Sequence, residues 1–571
     1  MRNTPPTTTS LTIDTTFNKF RNQVQAKQRL EYSQNSLSLI PKSKIKFYIA
    51  QYVDSVDVKR YISDDVNRTH IAKELKELYR HRDHDLIWVS TKGVLENSTV
   101  MLSELLTANR HGFNTANYNA TYLLNLSQNA FKKDSDLNLF ELIDLDLKMS
   151  AAYVTYAWHL SNGMTVPQII QGRWNRQRHL EPVAKVLAEN SVQDAIALLS
   201  PKTADYKNLQ SALEMYEAIA HKGAWPTLPS SIKLEEGDTS SFVITLRDRL
   251  IASGDLKEDK MSNSERSVFD YDLYNAVRRF QYRHGLAVDG VVGKGTIRAL
   301  NRSVDEKIAM IKLNLERIRW MPSDLGEKYI YVNIPEFKLY IREREELALE
   351  MRVIVGSKDN NTPVFDETLE HIVFSPTWKV PKSITQEEIL PKIKRDVNYL
   401  KRGNYKLYKG WYGGDEPLNP DSIDWSVIDE NSLRVVQQPG PGNALGRVKF
   451  LMPNNMSIYL HDTPADYLFN KEYRAMSHGC IRLESPDLLA EYLLREQAWD
   501  REKINEHMFK EEPVWVGLRT KLPVYIDYRT AWVNKDGLVS FGEDIYGIDQ
   551  LQASPWIDKN NGAVATIGQA P

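Results

Sequence analysis

Cys480 is the only cysteine among 571 residues, and the residue types around it are those a reactive thiol needs. It lies in Ser477-His-Gly-Cys-Ile-Arg482, with His478 just before it and His461 upstream in Ile458-Tyr-Leu-His-Asp462. A thiol attacks as thiolate, so a nearby base or positive field must take or offset its proton. Two histidines and Arg482 supply both within one short window. Gly479 lets backbone come close to a substrate carbonyl, where N–H groups can hold an oxyanion. A lone cysteine is otherwise a small buried hydrophobe, which has no use for such neighbours. A zinc site would need Asp462 beside Cys480 and both histidines, and neither the spacing nor any CxxC supports it. The chemistry expected is nucleophilic catalysis by Cys480, with no metal and no cofactor.

The pattern His-x(15)-Ser-His-Gly-Cys-x-Arg, from His461 to Arg482, resembles the signature of the L,D-transpeptidases, cysteine enzymes with a YkuD-type catalytic domain that cross-link peptidoglycan stem peptides. The likeness extends upstream through Gln437-Gln-Pro-Gly-Pro-Gly-Asn-Ala-Leu-Gly446 and Lys449-Phe450. The family's motif usually ends in Asn where this chain has Arg482, a change that looks typical of its large subgroup with a wall-binding domain and a lid. The resemblance implies that His461 is the base, oriented by a backbone carbonyl near Asp462 or by that side chain. It implies that Cys480 attacks the carbonyl between the third and fourth residues of a tetrapeptide stem, expelling D-Ala. A meso-diaminopimelate amine of a second stem would then form a 3→3 cross-link. The N–H groups of His478, Gly479 and Cys480 are the expected oxyanion donors, and His478 is expected to contribute mainly backbone.

Tyr459, Arg482, Ser477 and Asp462 complete the candidate site as substrate-binding residues. Arg482 either grips the donor carboxylate through paired hydrogen bonds or forms a structural salt bridge to Glu484 or Asp487. Tyr459 reads as pocket wall or hydrogen-bond partner, and Ser477 either bonds the thiol or fixes the loop. The family resemblance also implies acylation of Cys480 by carbapenem-type β-lactams and admits other cell-wall synthases as partners. Two other classes stay open: a cysteine hydrolase of stem peptides such as an L,D-carboxypeptidase, and a catalytically inactive wall-binding scaffold.

The chain is long enough for two to four domains. A formal net charge of -2 argues against a nucleic-acid binder, which would concentrate basic charge. No run of about 18 apolar residues offers a membrane span, and Met1 to Asn18 is polar and Thr-rich, without the apolar core of a signal peptide. Taken alone that says cytoplasm; the resemblance implies the periplasm. The expectation that reconciles them is that Met1 replaces a removed export signal or inner-membrane anchor.

The fold class expected is multidomain α+β. Residues 1–40 read as a flexible segment and 41–233 as an α-helical scaffold, with helices near Ile71–Tyr79, Ser98–Ala108, Leu137–Leu160, Glu181–Glu189, Val192–Leu199 and Tyr206–Ala220. Leu86-Ile-Trp88, Gly112-Phe-Asn114 and His159-Leu…Gly163 resemble the scaffold of the same subgroup. Residues 234–302 read as a small three-helix module whose Phe280-Gln281…Gly285-Leu286…Asp289-Gly290…Gly293…Thr296 resembles a peptidoglycan-binding domain, with Thr296 as an expected N-cap. A linking helix is expected over 303–325. Short alternating runs over 326–515 read as a mostly β, YkuD-like sandwich, interrupted by a helical lid insertion at about 382–432 whose best helix is Ile384–Tyr399. Met456–His461 reads as a strand with Tyr459 and His461 on one face. Residues 516–571 read as strands packing on the catalytic domain and scaffold, with a hairpin around Lys535-Asp-Gly537.

Overall fold

The computed structural model describes residues 37–553 other than 38, 56–57, 133–136, 168–169, 171, 224, 259, 345, 411–415 and 425–427. Almost all of the expected flexible segment 1–40, and both ends of the Trp411–Trp425 stretch, lie outside the described residues. Among those described, no helix is long and apolar enough to cross a membrane.

The helical region packs where its three- and four-residue spacing demands. Arg68–His81 buries Ile71, Leu75 and Leu78 against Leu139–Asn162, which is buried on nearly every face and so runs through the core. Trp88, Tyr153 and Trp158 join that core, as expected of the aromatics here. Two helices went unforeseen, Lys42–Ser55 and Ala120–Ala130. The first still carries Ile45, Ile49, Tyr52 and Val53 as a buried stripe, thinly spaced among lysines.

The module packs three main helices, Ser241–Ala252, Tyr271–Arg283 and Lys294–Leu300, around a separate apolar cluster, with a one-turn helix at Asn263–Arg266 between the first two. Gly293, not Thr296, occupies the N-cap of the third helix. Thr296 lies within the helix because buried Gln281 claims it. The Gln281 amide donates to Asp289, Val291 and Thr296 and accepts from the Gly290 N–H, so the glycine-rich loop wraps around one side chain.

Helix Val304–Arg319, entered by a Ser303/Glu306 capping box, packs on helices of the scaffold region and on the strand Ala531–Val533. It buries Arg317 against Asp549 at 2.7 Å and Arg319 against Glu316 at 2.9 Å. The β region that follows is one nine-stranded sheet: β1 (Lys328–Asn333), β2 (Lys338–Glu343), β3 (Glu346–Gly356), β4 (Phe365–Phe374), β5 (Val448–Leu451), β6 (Leu460–His461), β7 (Ala475–Ser477), β8 (Ile481–Leu483) and β9 (Val514–Asp527). Their spatial order is β7-β3-β8-β6-β5-β4-β9-β1-β2, and β2 also pairs with β3, so the sheet curls back on itself. Ile330, Val332, Leu339, Val353, Phe450, Leu460 and Ile481 fill the inside with Leu489 and Leu494 of the following helix.

Three expectations need correction. β9 is an internal strand between β4 and β1, so the boundary expected at 515/516 falls inside it; a register shift between Gly517 and Leu522 had masked its alternation. The insertion does not end at the expected 432, because Leu433–Gln437 does not join this sheet. That strand pairs with Trp378–Lys379 and Tyr405–Lys409 in a three-stranded sheet of the insertion, which has its own core of Val380, Leu390, Ile393, Leu407 and Val435. Ile384–Tyr399 is broken into a π-turn at Thr385–Ile389, then Leu390–Arg395 and Asn398–Arg402. Pro391 has no N–H and its ring displaces the carbonyl a turn earlier, which opens the helix there.

Scaffold and sheet are joined by buried charge. Arg176 donates to Asp366 at 2.7 Å and to Asp527 at 3.0 Å, while Asp527 also accepts from Arg529 and Tyr331. Burial alone would raise the Asp527 carboxyl, but Arg529 and Arg176 hold it well below the usual carboxylate range. A depressed carboxylate stabilises the fold above its unfolded value near pH 4, and loses that contribution as pH falls further. Arg176→Met should therefore cost about 3 kcal/mol at pH 7. In urea unfolding the gap to the parent should narrow between pH 5 and pH 3; a gap that stays constant would show that Arg176 acts through packing alone.

Candidate active site

Strand register puts His461 and Cys480 on one face of the sheet. β6 and β8 run parallel with Leu460 opposite Ile481 and His461 opposite Arg482, and the Ile481 N–H donates to the Tyr459 carbonyl at 3.1 Å. Side chains alternate along strands. Leu460 and Ile481, fully buried, face the core, so Tyr459, His461, Cys480 and Arg482 share the opposite face. β5 adds Lys449 to that face, in register with His461. The strand is shorter than Met456–His461. The Asn454 side chain takes the N–H groups of Met456 and Ile458, and Ser457 bends at φ 58.

His461 is almost fully buried, and its Nδ1 is bonded to the Asp462 backbone carbonyl. A carbonyl only accepts, so Nδ1 carries the hydrogen and Nε2 is left as a proton acceptor. Burial, reinforced by Arg482, pushes the ring down to about 3, so it is neutral at neutral pH. The Asp462 carboxylate does not orient the ring. It accepts the N–H groups of Arg447 at 2.6 Å and Thr463 at 2.7 Å, and burial raises it to about 6. This explains the end of the upstream motif: Gly446 sits at φ +61, and a Cβ there would lie 2.3 Å from the Asp462 carboxyl. Gln437 and Asn443 tie the rest of that loop, Gln437 to Gly442 and Ala444, Asn443 to Pro376 and Gln438.

Cys480 follows Gly479, whose φ of +111 suits glycine, and its Sγ lies 3.6 Å from the Ser457 carbonyl. Burial raises the thiol above its ordinary value, opposed by the Tyr459 amide and hydroxyl, Lys449 and Arg482. The Ser477 hydroxyl fixes the loop, donating to the Cys480 carbonyl at 2.6 Å and accepting the Gly479 N–H at 3.1 Å. That engagement removes Gly479 from the three expected oxyanion donors and leaves the N–H groups of His478 and Cys480 as candidates. The Gly479 carbonyl is held by Thr362 Oγ1 at 2.7 Å, and Thr362 in turn accepts the Gly356 N–H at 2.8 Å. Tyr546 closes the knot, donating to the Gly356 carbonyl at 2.6 Å and accepting the Thr362 N–H. Thr362 and Tyr546 were missed in the sequence because nothing local marks them.

His478 turns its ring away to Glu388 of the insertion at 2.8 Å. Tyr459 meets the insertion through Trp378 and the site through the thiol, with the Lys449 amine 3.6 Å from its ring centroid. Arg482 forms neither expected salt bridge. Glu484 is paired with Arg352 and Asp487 with Arg501, and the Arg482 Nε is buried without a hydrogen-bond partner.

The comparisons with known proteins agree with this architecture. Residues 327–526 match the family model described as L,D-transpeptidase catalytic domain (YkuD), residues 73–213 the one described as Scaffold domain, and residues 239–300 the one described as "Putative peptidoglycan binding domain". The chain thus carries a YkuD-type L,D-transpeptidase catalytic domain with a scaffold and a peptidoglycan-binding domain. It is 38% identical over 248 residues to the "Putative L,D-transpeptidase" of Haemophilus influenzae, covering 43% of this chain and 49% of that protein. It is 42% identical over 72 residues to the N-acetylmuramoyl-L-alanine amidase CwlM of Mycobacterium tuberculosis, 12% of this chain and 18% of that one. The chain therefore spans about half the length of the first relative and less of the second. Among solved structures, an L,D-transpeptidase from Mycobacterium smegmatis is 12% identical with a TM-score of 0.18, covering 35% of this chain and 58% of its own. One from Xylanimonas cellulosilytica is 13% identical with a TM-score of 0.17, covering 53% and 100%. Scores this low do not bear on the fold.

A raised thiol and a lowered imidazole on one face are both neutral at rest, rather than thiolate and imidazolium. The rate of Cys480 alkylation by iodoacetamide, followed by intact mass, should climb with pH into the alkaline range. A plateau of high reactivity between pH 5 and pH 7 would contradict the neutral pair.

Proposed function

We propose that the protein is an L,D-transpeptidase that forms 3→3 cross-links in peptidoglycan through a thioester on Cys480, and that it works outside the cytoplasm, where that substrate lies. The observation that carries the reading is the shared face of Cys480, the proton-accepting His461 Nε2 and an Arg482 guanidinium free of both acids near it. Stem peptides offer what this set needs: a carbonyl to attack and a carboxylate to hold.

In the first half-reaction the thiol proton passes to His461 Nε2 as sulfur attacks the carbonyl between stem residues three and four. Negative charge on the carbonyl oxygen is met by the N–H groups of Cys480 and His478, each such donor being worth roughly 3 kcal/mol in acyl transfer. The C–N bond then breaks, the proton on His461 goes to the departing D-Ala amine, and a thioester remains. In the second, the diaminopimelate amine of another stem attacks the thioester, gives its proton to His461, and the thiolate leaves and is reprotonated. Arg482 holds the donor carboxylate during the first step. The insertion, touching both the catalytic loop and Tyr459, supports transfer over hydrolysis, because a covered thioester is shielded from water.

Mass analysis of products from a disaccharide-tetrapeptide donor with a tripeptide acceptor tests this. D-Ala release and a 3→3 dimer are expected, both lost in Cys480→Ala, with kcat/KM for the donor down roughly ten- to hundred-fold in Arg482→Ala. Free tripeptide without dimer would indicate the hydrolase instead. Unchanged substrate would leave a wall-binding protein.

A further inference from the structure

A cavity of about 1180 Å³ opens where the scaffold, the three-helix module, the end of helix Val304–Arg319 and the catalytic sheet converge, and no residue of the candidate active site lines it. Its floor is the outer face of two paired strands. Tyr329, Tyr331 and Asn333 are alternate residues of β1, and Lys338, Tyr340 and Arg342 are alternate residues of β2; all six line the cavity. The residues between them, Ile330, Val332, Leu339 and Ile341, are fully buried in the core. Tyr331 and Tyr340 stand directly opposite one another across the strand pair, so their rings are neighbours on the sheet surface.

Both rings are anchored at the hydroxyl end. Tyr331 donates to Asp527 at 2.9 Å and Tyr340 to Glu336 at 2.6 Å. Their orientation is thus set before any ligand arrives, which lowers the entropic cost of stacking on them. Trp532 of the hairpin and Tyr282 of the module add aromatic surface on other walls. Two cations of the lining are paired with carboxylates, Lys338 with Glu350 and Arg529 with Asp527. Fixed aromatic faces lie there beside amides, hydroxyls and charges of both signs, among them Lys202, Arg342, Asp205 and Asp324, so the lining favours neither a polyanion nor a cationic peptide. It suits an uncharged, polyhydroxylated chain, whose C–H faces lie on rings and whose hydroxyls find both donors and acceptors.

We propose that this junction cavity is a binding site for a glycan chain, stacked on Tyr331, Tyr340 and Trp532. The site deepens the peptidoglycan reading and rests on it only for which glycan is bound. It would hold the sugar backbone on a surface separate from the one that handles stem peptides.

Equilibrium binding of chitotetraose and of peptidoglycan glycan stripped of its stems, measured calorimetrically on the full chain, tests the site. Tyr340→Ala and Trp532→Ala should each weaken both ligands about ten-fold, a change of about 1.4 kcal/mol. Tyr282→Ala, at the half-exposed rim, should weaken them less and guards against a variant that fails to fold. Alkylation of Cys480 should be unaltered in all three. Parent-like glycan binding in every variant would overturn the site, since the sugar would then be held elsewhere. Displacement of the glycan by a sugar-free stem peptide would overturn it too. Loss of cross-linking with glycan binding intact would instead count against the transpeptidase reading alone.

Discussion

The parallel pairing of β6 with β8 is the constraint on which the site depends. It sets His461 opposite Arg482 and, one step back, places Tyr459 beside Cys480, while Leu460 and Ile481 bury themselves on the other side. A slip of one residue in either strand would send that strand's polar set into the core and its apolar set to the surface. The cost of burying those groups is what fixes the candidate catalytic face. Orientation within the face comes from backbone: the Asp462 carbonyl aims the imidazole, and the Ser477 hydroxyl with Thr362 shapes the loop that carries the thiol.

Distant parts of the chain converge on that loop. Tyr546, far downstream, bonds both Gly356 and Thr362, and its carbonyl accepts from Arg173 of the helical region. Rigidity at the Cys480 loop is therefore a property of the assembled molecule. The insertion is built differently: its small sheet and separate core let it exist as a unit, joined to the site by a few polar contacts such as Glu388 to His478. A body with its own core can shift relative to the sheet without unfolding, which is what the proposed cover over a thioester would require.

Much of this was legible in the sequence because the determining signals are local. The run Ser477 to Arg482, the alternation in Lys328–Asn333 and the three-residue spacing in Arg68–His81 each report their own structure. Apart from the helix that Pro391 opens and the thinly patterned Lys42–Ser55, the failures come from pairing between separated residues. Val514–Asp527 hides its strand character behind a bulge, and Leu433–Gln437 looks like any catalytic strand until its partners in the insertion are known. Thr296 reads as a cap until Gln281 claims it. Thr362 and Tyr546 carry no motif, and Arg482 could be freed from its alternative role only by seeing Glu484 and Asp487 already paired.

The measurement closest to the central claim is capture of the acyl-enzyme. The protein is incubated with a disaccharide-tetrapeptide donor without acceptor, quenched in acid, digested and mapped by mass. The account predicts one adduct with the mass of the donor less D-Ala, on the peptide containing Cys480 and labile to hydroxylamine. Stem cleavage or cross-linking with no adduct on that peptide, or an adduct on another residue, would contradict it.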